Sequence, residues 1–140
     1  MALSVKIALL AAGVFLLTGM LTGIWKYRWM MRSETHQAPA YVDIAHRASF
    51  FYSFASLVIA ELARYSPFAP DFLFFVVAVP LALFALTIVQ YVRLGLKGQE
   101  QTQFAARNLI TTWFMYILMA GEIGGVALLV SGFIYTEFTR

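Results

Sequence analysis

Asn108-Leu-Ile-Thr-Thr-Trp-Phe-Met-Tyr-Ile-Leu-Met-Ala-Gly-Glu-Ile-Gly-Gly-Val-Ala-Leu-Leu-Val-Ser-Gly-Phe-Ile-Tyr135 is apolar over a length that can cross a bilayer, which takes about 20 residues as a helix. Near its middle stands one carboxylic acid, Glu122. A charged, unpaired carboxylate at that depth costs about 2.5–3.5 kcal/mol on insertion scales. Glu122 must therefore be protonated, paired, or turned toward a wet cavity. Beside it lie Ala120, Gly121, Gly124 and Gly125. Small residues four apart, as in Gly121-x-x-x-Gly125, let a second helix approach closely. Glu122 is thus expected to face protein as a buried glutamate. Its expected partners are Ser53, Ser56 and the carbonyl of Val76, which Pro80 should release from the helix ladder.

The rest of the chain has the same character. It is 140 residues long, 61% hydrophobic and 12% charged, with mean hydropathy +0.77; a soluble domain carries about 25% charged residues. Three more apolar stretches precede the first: roughly 7–25, 44–64 and 69–92. The expected fold is all-α, one domain over 1–140, an integral membrane bundle of four transmembrane helices at about 4–26, 42–64, 69–93 and 106–136. The first stretch exceeds a signal-peptide core and no A-x-A site follows it, so it is expected to be retained. There is no cysteine, which excludes disulfides, thiolate metal sites and cysteine nucleophiles. A net charge of +3 without a basic face gives no reason to expect nucleic-acid binding.

Basic residues set the expected orientation. Lys26, Arg28, Arg32, Arg47, Arg93, Lys97 and Arg107 fall on one side; Lys6, Arg64 and Arg140 fall on the other. Seven against three predicts a multi-pass protein with loops one and three in the cytoplasm and both termini outside. Pro39 should delay helix two until about Tyr41, and Gly95 can stop helix three. Ser49, Ser53, Ser56, Ala60 and Ala63 form a small-residue stripe on helix two that should match the glycine stripe of helix four.

Chemistry concentrates where helix two begins. Asp43, His46 and Arg47 fall within one turn, and Asp43–Arg47 at i,i+4 is a natural ion pair. Glu61 and Arg64 should pair in the same way at the far end of that helix. His36, Asp43 and His46 supply at most three of the three or four ligands that a metal needs. No metal site is therefore expected, and a metal or haem on those three residues is the alternative.

An Arg-Ala opening helix two, Tyr91-x-Arg93-x-Gly95 closing helix three, Arg107 opening helix four and two basic loops together resemble the membrane-associated eicosanoid and glutathione metabolism family. The resemblance spans nearly the whole chain at the level of architecture. It implies a trimer holding glutathione between subunits near the cytoplasmic face, a transferase activity, and Arg47, Tyr91, Arg93 and Arg107 as ligand-binding residues. The family follows its Arg-Ala with an Asn and then a Glu three residues on; here Phe51 and Phe54 stand there. The expected function is a small anionic or amphipathic ligand site in the cytoplasmic half. The alternative is a non-catalytic membrane subunit of a larger complex, or a small pore, with Glu122 as a structural or proton-binding carboxyl.

Overall fold

The structure, a computed structural model, describes residues 1–105 and 108–139. Four long helices run in order: α1, Leu3–Arg32; α2, Ala40–Arg64; α3, Pro70–Leu96; α4, Met115–Phe138. Prolines mark two of the starts. Pro39 is the N-cap of α2, and Pro70 opens α3, where a missing N–H costs nothing. α3 continues through Pro80. It runs past Gly95, the expected stop, to Leu96, and Gly98 just beyond it, with a φ of +64°, turns the chain away while Gln99 N–H reaches back to the Leu94 carbonyl at 3.2 Å. Glycine adopts that backbone without the Cβ penalty. Gly95 serves packing instead: a Cβ there would meet Trp25 at 2.8 Å.

Among the described residues three helices, not four, are long and apolar enough to cross a membrane: α1, α3 and the segment Thr111–Phe138. The molecule is an all-α, four-helix bundle with the character of a multi-pass membrane protein. α2 falls short through composition, since its 25 residues carry Asp43, His46, Arg47, Glu61 and Arg64 and a line of serines. Its serines are buried against the neighbouring helices, while its ionisable residues gather at its two ends, where Arg47, Glu61 and Arg64 are exposed. Protein can satisfy polar groups that lipid cannot.

The core lies between α1, α2 and α3. Val5, Ala8, Phe15, Ile59, Val77 and Phe84 pack there, and Leu129 is the one contribution from α4 to that buried cluster. α1 and α2 share the largest interface. α2's small stripe faces α1, where Ser53 donates to the Ala12 carbonyl at 2.8 Å. The glycines of α4 face α3 instead: a Cβ on Gly121 would meet Leu83 at 2.5 Å, and one on Gly125 would press into the Pro80 ring and lie 3.0 Å from the Val76 carbonyl oxygen. Both stripes pack closely, but against different helices from those the sequence matching paired.

Candidate functional site

The connection between α3 and α4 is tied to the start of α2. Tyr41 accepts the Gln103 backbone N–H at 2.7 Å, and Gln90 donates to the Gln103 side-chain oxygen at 3.4 Å. Beneath this tie, Tyr41 and Tyr91 lie with ring centroids 6.2 Å apart. Ile44, Arg47, Ala48, Phe51, Tyr52 and Tyr91 line a cavity of about 280 Å³. Arg47 and Tyr91, the first two predicted ligand residues, therefore share one cleft. Arg47 stands half out of it, 62% exposed, with its guanidinium 2.8 Å from Asp43.

Arg93 does not join them. It lines a separate cavity of about 620 Å³ with Val14, Phe15, Thr18 and Lys97 on the α1 side of α3. Two residues along a helix are about 200° apart around its axis, so Tyr91 and Arg93 cannot face one ligand. Arg107 lies outside the described residues. A larger cavity, about 900 Å³, sits at the opposite end of the bundle among Leu3, Arg64, Phe68, Asp71 and Phe74. It contains none of the predicted ligand residues.

The ionisable cluster at the start of α2 is larger than the sequence showed. Lys26 of α1 meets Asp43 at 2.6 Å beside the Arg47 pair. The Lys26 hydrogen bond holds the Asp43 carboxyl below the usual carboxylate value; partial burial opposes it, and the charges of Lys26, Arg47 and His46 reinforce it. His46 points the other way, its Nδ1 2.8 Å from the Gly19 carbonyl. A carbonyl only accepts, so Nδ1 carries the hydrogen. The ring stands edge-on to Phe50 and fills the space over Gly23. His36 sits on the exposed turn after α1, 3.3 Å from the Met30 carbonyl. Among the described residues no three His, Asp or Glu side chains are placed to hold a metal. Glu61 and Arg64 form a local pair at 3.0 Å.

Glu122 corrects a sequence expectation. It is half-exposed in the single chain, not buried. Its expected partners are engaged elsewhere: Ser53 with Ala12, Ser56 with the Tyr52 carbonyl at 2.7 Å. One oxygen, Oε1, is enclosed and has no hydrogen-bond partner. The reason is rotational. Gly121 and Gly125 meet α3 squarely, and Glu122, one residue on, is turned to the edge of that contact. Tyr52 of α2 and Tyr91 of α3 line one cavity, with the Tyr41 ring beside Tyr91. Sequence reading missed this grouping, although Tyr41 and Tyr52, eleven apart, share a helix face, as do Thr87 and Tyr91 at i,i+4.

No family model, no curated protein and no solved structure matches the chain. What stands of the resemblance to the glutathione-metabolism family is an all-helical bundle with helices apolar enough to span a membrane; no family-specific motif accompanies it.

Proposed function

We propose that this chain is an integral membrane protein that binds a small amphipathic ligand in the cleft between α2 and α3. The observation that carries the reading is the convergence of Arg47, Tyr52 and Tyr91 on one cavity. Arg47 at the mouth would take an anionic end; Phe51, Ile44 and Ala48 would take apolar substance. Sites of this kind are mostly apolar with a few polar groups that fix orientation. The distribution of Lys and Arg supports placing this mouth in the cytoplasm, with both termini outside and α2 crossing beside the three more apolar helices.

A second copy of the chain is the partner this reading includes. α4 leaves Ala120, Gly124, Ala127 and Ser131 exposed along one face, at spacings of four and three that admit another helix. A homo-oligomer through that face would set the cleft near a subunit boundary, and a trimer would fit the family resemblance. Assembly with other membrane subunits is the competing outcome.

The test is thermal unfolding in detergent. Glutathione, the ligand that the resemblance implies, is the first probe; alkyl phosphates and fatty acids follow. A ligand at about 100 times its Kd stabilises by about 2.7 kcal/mol. Arg47→Lys should remove the shift, because an ammonium cannot reproduce a planar two-pronged contact. If no anionic amphiphile shifts the transition and Arg47→Lys behaves like the wild type, the cluster is an interfacial anchor and the ligand reading fails. Glutathione silent beside an active alkyl phosphate would reject the transferase branch alone.

A further inference from the structure

The cavity that holds Arg93 is a groove between α1 and α3, and its two ends differ. Over most of its length it is apolar. Phe15 and Ile88 are its buried floor, while Val14 and Val89 stand at its edges, 51% and 63% exposed. Thr18 adds no free polarity, because its hydroxyl donates to the Val14 carbonyl at 2.8 Å. Where α3 stops, Arg93 and Lys97 line the groove, four residues apart and both exposed. No acidic side chain is among the described residues that line it, and neither cation has a carboxylate partner among the described residues. Cations near a helix C-terminus are common; what sets these apart is the apolar groove that ends on them. Like charges at i,i+4 are neighbours that repel, so an anion between them relieves the pair. From Ala85 to Lys97 the lining advances twelve residues along α3, about 18 Å at the helical rise. One leaflet supplies half of a hydrocarbon core about 30 Å thick. Both walls belong to helices apolar enough to cross a membrane. The groove therefore matches one acyl chain in length and sets two positive charges at headgroup level.

We propose that this groove binds an anionic glycerophospholipid taken from the leaflet at the Arg93 end of the bundle. The phosphodiester accepts hydrogen bonds from the Arg93 guanidinium, whose planar fork suits phosphate, and from the Lys97 ammonium. One acyl chain lies along Val89 and Ile88 toward Ala85. Basic pockets between membrane helices are recurrent sites for anionic headgroups. A zwitterionic lipid fits less well, because its ammonium would find no acidic side chain in the lining and would add a third positive charge beside two. Inorganic phosphate would use the cations and leave the apolar length empty; the lipid uses both. The site is separate from the α2–α3 cleft, which has its own lining, so Arg47→Lys should leave lipid binding unchanged. The proposal rests on the membrane character of the chain and not on the amphiphile site.

Native mass spectrometry of the delipidated full chain tests it, with equal amounts of phosphatidylglycerol and phosphatidylcholine of one chain length added in detergent. Wild type should prefer the anionic lipid by about 30-fold, the contribution of two cations at a membrane surface expressed as an equilibrium ratio. Arg93→Gln and Lys97→Gln should each lower the preference to about fivefold, and the double variant should bring it near parity. Arg28→Gln combined with Arg32→Gln removes the same charge from another surface, shared with Trp25 and Trp29, and should keep the wild-type preference. Val89→Trp fills the groove from an exposed position and should abolish the lipid adduct; Met20→Trp, exposed on α1 outside the groove, should not. Inorganic phosphate at the lipid's concentration should not compete. Where the double variant does not fold, the single variants and Val89→Trp carry the decision. The proposal is overturned if wild type shows no preference, or if the Arg28 and Arg32 variant loses it as fully as the Arg93 and Lys97 variant, since the attraction is then diffuse. It is equally overturned if Val89→Trp binds lipid like wild type, or if inorganic phosphate competes. A particle that shrinks in Val89→Trp, with no lipid preference in wild type, would assign the groove to a second copy of the chain instead.

Discussion

Where α1 meets α2, polar groups cross from helix to helix; where α4 meets α3, shape alone makes the contact. The first interface carries His46 to the Gly19 carbonyl, Ser53 to the Ala12 carbonyl and Lys26 to Asp43. On α4 the side-chain hydrogen bonds seen among the described residues, from Ser131 and Thr139, stay within that helix and its end. Only Leu129 and Gly132 of α4 are buried. Helices in lipid have no hydrophobic force driving them together and associate through close packing and interhelical hydrogen bonds. α1 and α2 use both means, and α4 uses one. The α4 edge is therefore the part of the fold free to open toward the cleft or to accept another helix.

The largest effect should come from filling the glycine that admits Pro80. Gly125→Leu would drive a side chain into the Pro80 ring and the Val76 backbone oxygen, and backbone cannot yield as a flexible side chain can. Overpacking of this kind costs typically 1–3 kcal/mol, and we expect about 3 kcal/mol, with α4 released from α3. Gly124→Leu is the paired control, since a Cβ there meets nothing within 4 Å. It should leave the unfolding of the single chain within about 0.5 kcal/mol of wild type while reducing the size of the particle measured by light scattering in detergent. Equal stability of Gly125→Leu and wild type would show that α4 does not depend on this contact. An unchanged particle with Gly124→Leu would remove the α4 face from the proposed assembly.

A smaller effect should come from Ser53, on the polar side of the comparison. Ser53→Ala deletes the hydrogen bond to Ala12 at a buried position. Interhelical hydrogen bonds in membranes average about 0.6 kcal/mol and reach about 1.7 kcal/mol. We expect about 1 kcal/mol, read from unfolding in mixed micelles. Ser56→Ala, whose bond stays within its own helix, should cost less. If the two serines proved equal, the interhelical bonds would not be what distinguishes the α1–α2 half from α4.

These contrasts show what the sequence could carry. Segment length and hydropathy place the four helices but overstate α2, whose composition falls short of a membrane span. Local ion pairs are equally legible: Asp43–Arg47 and Glu61–Arg64 follow from i,i+4 and i,i+3 spacing. Pairing between helices is not. The stripes of α2 and α4 are both small, so either could accept the other, and only the three-dimensional arrangement sends one to α1 and the other to α3. Rotation about an axis is just as hidden. Tyr91 reaches the cleft and Arg93 leaves it, and Glu122 sits at the rim of a contact that its glycine neighbours enter. The Lys26–Asp43 bridge spans separate helices and leaves no periodic trace.

The smallest expected effect belongs to the ion-pair cluster at the start of α2, a polar crossing that water reaches. Lys26 and Asp43 are about a third exposed, 30% and 28%, so solvent screens the pair, and such bridges contribute about 0–1 kcal/mol. Asp43→Asn should therefore cost less than about 1 kcal/mol at neutral pH. Its pH dependence is more informative than its size. The carboxyl of the folded chain titrates below the ordinary value of 3.8 because Lys26 hydrogen-bonds it. The unfolded chain then binds the proton first as pH falls, so the contribution is complete above that ordinary value and is lost as pH drops through the lower folded one. Wild type and Asp43→Asn should differ by a constant amount near neutrality and converge only in strong acid, and added salt should narrow the gap. Convergence already at mildly acidic pH would mean that a group other than Asp43 supplies the bond between α1 and α2, with His46 on Gly19 the first to examine.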